Sequence, residues 1–223
     1  MVEQVRVASR SQAAAPAINS VLRNTYALLS MTLLFSAVTA GAAMAMNAPP
    51  MHWLLVLGGY FGLLFLTSAL RNSVWGIASV FALTGFMGYT LGPLLNAYIG
   101  AFSNGAQLVM MALGGTGVIF LGLSAYALTT RQDFSFLRGF LLVGILVMFL
   151  AGIAALIFQL PALSLAVSAA FVLLMSGLIL YQTSEIIHGG ETNYIMATVT
   201  LYVAIFNLFT SLLHLLGVFG GEE

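Results

Sequence analysis

The chain has neither cysteine nor lysine, and only 5% of its 223 residues are charged. Six arginines and six carboxylates cancel to a net charge of zero. Without cysteine there is no disulfide framework, no thiolate metal site and no cysteine nucleophile. Without a basic excess nothing draws the chain to nucleic acid. A typical soluble domain is about 25% charged, so this one cannot cover a water-facing surface. What is abundant is apolar: 61% of residues are hydrophobic. That composition places the chain among integral membrane proteins, all-α in class, since a bilayer admits helices or closed barrels and these runs are too long for strands. Residues 1–20 do not read as a signal peptide, because Glu3, Arg6, Arg10 and Gln12 interrupt them before any apolar core.

Seven runs long enough to cross about 30 Å of hydrocarbon are predicted at 25–46, 53–70, 74–95, 107–128, 138–158, 162–187 and 193–217. Residues 1–24, polar and rich in alanine and serine, read as a flexible tail; 25–217 read as a seven-helix transmembrane domain and 218–223 as a short external tail. Arg6, Arg10, Arg23, Arg71, Arg131 and Arg138 all fall on one side of such a topology, and the intervening loops hold no basic residue. Arginine favours the cytoplasmic side of short loops, so the N-terminus is expected inside and the C-terminus outside. Gly92-Pro93 is expected to kink or end the third helix, since proline removes a backbone donor and clashes with the preceding turn.

The last two runs meet at a polar hinge, His188-Gly189-Gly190-Glu191. At 100° per residue, Asn193, Thr200, Asn207, Ser211 and His214 share one sector of the last helix, with Ala204 beside them. The preceding helix offers Ser164, Ser168, Met175, Gln182 and, at its edge, Glu185. Lipid offers an amide or imidazole no partner, so the two stripes are expected to face each other as a polar seam of Gln182, Glu185, Thr200, Ala204, Asn207, Ser211 and His214. The bland reading of the serines and threonines is packing hydrogen bonds between helices; Glu185 reads either as a carboxylate reaching the interface or as a cation-responsive group. No metal site or cofactor is expected, because calcium wants six to eight oxygens and Glu185 is the one carboxylate inside a span. Nor is catalysis expected: Ser124 and His214 belong at opposite depths.

Gly88-Tyr89-Thr90-Leu91-Gly92-Pro93-Leu94-Leu95, with Gly76-Ile77 upstream and the run from Ala112 to Phe120 downstream, resembles the signature of the Bax-inhibitor family, and its family-motif positions are Gly88, Gly92, Pro93 and Leu95. Ala78 and Gly117 depart from that signature. LYQTSEII and LYVAIFNLF resemble the same family, and VLRNTY at 21–26 and IIHGGETNYI at 186–195 resemble its bacterial YccA branch. The resemblance implies seven transmembrane helices with the last in the middle of the bundle. It also implies a bacterial inner-membrane protein, not an enzyme, that modulates an FtsH-type membrane protease and is partnered by that complex, its associated membrane proteins and the lipid bilayer. The alternative it carries is a pH-sensitive calcium or cation leak. Leak members bear aspartates where this chain has Gln182 and Ala204.

Overall fold

A computed structural model describes the backbone of residues 2–221 and the side chains of residues 18–221. Seven helices follow one another: α1 Val2–Ala45, α2 Trp53–Leu70, α3 Trp75–Ala101, α4 Gly105–Thr130, α5 Leu137–Ile157, α6 Pro161–His188 and α7 Tyr194–Gly220. All seven are long and apolar enough to span a bilayer, α1 from Ile18 onward. Two boundaries differ from expectation. α1 is helical straight through Arg23-Asn24, where the tail was expected to end; the alanine-rich approach favours helix and two polar residues at an interface do not stop it. α3 carries Pro93 in its interior and runs on to Ala101. Proline at membrane depth is tolerated where neighbouring helices take up the freed backbone group, so it does not end α3 here.

Burial makes α7 the axis. Half of the α7 span (50%) is buried inside the protein, against 6% for α2 and 11% for α5. Each of three apolar clusters draws on α7: Ile195, Val199, Leu201, Tyr202 and Ile205 in the first, Ala204 and Leu208 in the second, Phe209 and Leu213 in the third. Helices α1, α3, α4 and α6 pack directly on it. The outlying pair leans on other supports, α2 against α3 and α5 against α6. The last helix is thus central, as the resemblance implied.

The close approach of α1 to α3 comes from glycine. A Cβ at Gly88 would overlap the Ser36 carbonyl and Thr39 hydroxyl, and one at Gly92 would overlap the Cβ of Ala43. This is the small-xxx-small device by which membrane helices let backbones touch. Asn96 then donates from Nδ2 to the Met44 carbonyl at 3.1 Å, a second donor beside the Asn47 N–H at 3.0 Å.

Candidate functional site

The α6–α7 hinge is built as a closed turn. Gly189 has φ 76°, the left-handed conformation that glycine adopts without cost. Its N–H donates to the Ile186 carbonyl at 3.3 Å while Gly190 N–H donates to Glu185 O at 2.8 Å, the paired bonds of a Schellman motif. Glu191 accepts from the Asn193 N–H at 2.8 Å, and Asn193 Oδ1 caps α7 by accepting from the N–H groups of Ile195 and Met196 at 3.0 and 3.1 Å.

The hinge also gathers the neighbouring loops. Asn193 Nδ2 donates to the Arg71 carbonyl and to Asn72 Oδ1, both at 3.0 Å, which ties it to the α2–α3 link. Ser184 donates to the Gln132 carbonyl at 3.1 Å and accepts from the Phe134 N–H at 3.0 Å, which ties α6 to the α4–α5 loop. His188 Nδ1 lies 2.9 Å from the Ser184 carbonyl; a carbonyl only accepts, so the proton sits on Nδ1. Glu185 rests on the turn itself, since a Cβ at Gly190 would stand 2.5 Å from its Oε2. In the α4–α5 loop Asp133 Oδ1 accepts from the Ser135 N–H at 2.8 Å. That bond, followed by one from the Ser135 side chain, holds the Asp133 carboxyl below its ordinary value of 3.8, with His188 adding a smaller pull.

The expected seam is not continuous. The two stripes meet where Ser168 Oγ lies 2.7 Å from His214 Nδ1. Between the ends the α6–α7 interface is apolar: Ala204 is fully buried with Leu141, Leu174, Met175, Ile179 and Leu208. Thr200 bonds back to the Met196 carbonyl at 3.0 Å and Ser211 is buried. Asn207 donates to its own helix at Val203 O, at 2.8 Å, and lines a cleft of about 600 Å³ between α2 and α5. Gln182 is buried with no partner for Nε2. The stripes scatter because α7 has neighbours all round, so residues one turn apart meet different helices.

A second polar feature was not anticipated. The Tyr202 hydroxyl, 1% exposed in the middle of α7, donates to the Thr84 carbonyl of α3 at 3.2 Å and lies 2.6 Å from Ser36 Oγ of α1. Its one proton goes to the carbonyl, so Ser36 donates to Tyr202. Three helices are clamped through one phenol. The available signal was a tyrosine deep in an apolar run, which must find a partner when buried. Beside the clamp a cleft of about 460 Å³ opens between α1 and α4, and Phe206 of α7 lines both clefts.

Seven apolar helices arranged around the last, α1 and α3 packed through glycine, and a capped α6–α7 hinge define a polytopic α-helical membrane protein of the Bax-inhibitor class. A family model described as "Inhibitor of apoptosis-promoting Bax1" matches residues 18–221, and the chain belongs to that family. It is 54% identical over 199 residues to the Escherichia coli K12 protein named "Modulator of FtsH protease YccA", covering 89% of this chain and 90% of that one. A Pseudomonas aeruginosa protein, PA2604, is 55% identical over 206 residues, and a Vibrio cholerae membrane protein 45% identical over 206, each match covering 92% of both chains.

Proposed function

We propose that this protein modulates an FtsH-type ATP-dependent protease in the bacterial inner membrane, serving as a regulator and slowly processed substrate rather than as an enzyme. The observation that carries the reading is the 54% identity to the Escherichia coli modulator across nearly the full length of both chains. In this reading the N-terminus is cytoplasmic and the C-terminus periplasmic, in keeping with Arg23, Arg71, Arg131 and Arg138 at one end of the bundle. Residues 1–24 act as the cytoplasmic handle that the protease seizes.

Two features support slow processing. A protease drawing on the N-terminus loads α1 first, and α1 is held by the Ser36–Tyr202–Thr84 clamp and the glycine contacts at Gly88 and Gly92. Breaking these together opposes extraction, so an engaged chain occupies the protease and lowers turnover of its other membrane substrates.

Affinity purification from native membranes tests the reading. The full-length chain should co-purify with the protease complex and, when overproduced, lengthen the half-life of its membrane substrates. Deleting residues 2–18 should stabilise the chain against proteolysis without abolishing its membrane contacts. If the chain neither co-purifies nor changes any half-life, the reading fails.

A further inference from the structure

Three buried polar atoms have no hydrogen-bond partner among the described residues: Thr25 Oγ1, Ser124 Oγ and Gln182 Nε2. Their residues are 0%, 3% and 5% exposed. They belong to three helices, each near the arginine-bearing end of the bundle. Ser124 precedes the end of α4 at Thr130 by six residues (130 − 124), and Gln182 precedes the end of α6 at His188 by six (188 − 182); six residues is about 9 Å of helical rise. Thr25 lies two residues beyond Arg23, at the same arginine-bearing end.

Side chains next to the three bring the helices together at this level. The Tyr26 ring stands 6.1 Å from that of Phe120, which is one turn before Ser124 on α4. Its hydroxyl is 3.4 Å from Thr183 Oγ1, the neighbour of Gln182 on α6. The Thr25 carbonyl lies 3.3 Å from Thr198 Oγ1 on the first turns of α7, whose proton goes to the Tyr194 carbonyl at 2.7 Å. Buried polar groups are almost always hydrogen-bonded, so each of these three calls for a partner.

The chemistry of the groups selects what completes them. Two hydroxyls and an amide N–H are neutral, and among the described residues no group of three His, Cys, Asp or Glu side chains could hold a metal ion. Glu185, the nearest carboxylate along α6, lies on the Gly190 turn. A bare cation would lose its hydration without gaining charge. Water both donates and accepts, and it is the small molecule that satisfies hydroxyls and an amide together. We propose that the arginine-bearing end of the bundle binds internal water at a neutral polar site formed by Thr25, Ser124 and Gln182.

The test uses the full-length chain in lipid nanodiscs and near-isosteric substitutions that keep shape while removing polarity, Thr25→Val and Gln182→Met. If the groups are unpaired, each substitution removes a buried orphan and raises the thermal midpoint; if they bond water, each lowers it by several degrees. Midpoints that rise or stay level overturn the proposal. X-ray radiolytic labelling of the wild-type chain provides a second reading that needs no variant, because bound water generates hydroxyl radicals in place. Leu29, one turn after Thr25 and 1% exposed, should then oxidise at least severalfold faster than Leu83 and Leu213, which are equally buried. Equal rates overturn the proposal as well.

Discussion

Tyr202→Phe removes one oxygen and leaves the ring in its cluster, so it isolates the clamp from the packing around it. The Thr84 carbonyl then loses its side-chain donor and Ser36 its acceptor. A buried group deprived of its partner costs about 1–3 kcal/mol, and heat unfolding in detergent micelles, followed by circular dichroism, should show a lower midpoint of that order. An unchanged midpoint would mean that the phenol is not a strut. Asp133 makes a separate prediction. Its carboxyl is held below 3.8 in the folded chain, so it adds stability above the ordinary value and loses that contribution as pH falls through the lowered one. The Asp133→Asn variant should therefore show a shallower loss of midpoint as pH falls below 3.8 than the wild-type chain.

Among the elements, the α1–α3 contact depends on glycine at two places one turn apart. Gly88→Leu or Gly92→Leu would drive the helices apart, and overpacking of this kind costs about 1–3 kcal/mol or more. Gly41→Ala is the control: it lines the α1–α4 cleft and its Cβ would meet nothing within 4 Å. Thermal midpoints in micelles should fall for the first two and hold for the third. These elements were legible in the sequence to different degrees. The spans were plain, because a bilayer demands some twenty apolar residues per crossing. Gly189-Gly190 after a long apolar run writes a helix stop, whereas Asn193, read as part of the polar stripe of the last helix, caps that helix instead. The interior was harder to read. A helical wheel assumes one favoured face, yet Val199 and Leu213, outside the polar sector, are as buried as Ser211 within it. Tyr202 was hidden for a related reason, as its partners Ser36 and Thr84 are 166 and 118 residues away.

For the whole molecule, the arginine distribution yields a topology that fusions can check. Alkaline phosphatase attached after Glu223 should be active and attached after Arg131 inactive; the reverse result would invert the bundle. Ion passage is the other measurement at this scale. Ala204 is packed in an apolar cluster and Gln182 carries no charge, so neither position supplies the carboxylate that would replace the hydration of a divalent ion. Vesicles reconstituted with the wild-type chain should pass little calcium, and Gln182→Asp combined with Ala204→Asp should raise the flux or make it follow pH. Wild-type flux equal to that of the double variant would contradict this.

The central position of α7 bears on how the molecule is made. The ribosome delivers this helix after the six that precede it, four of which pack on it. Until then each apolar cluster lacks the residues that α7 supplies, and Ser36 has no phenol to meet. The α1–α3 contact can form without α7, but consolidation of the three clusters waits on the translation of that helix. A stop after Asn193 would remove the helix on which α1, α3, α4 and α6 pack, whereas a peripheral helix such as α2 contributes to one edge only. Pulse-chase of a chain ending at residue 193 should accordingly show decay far faster than that of the complete protein.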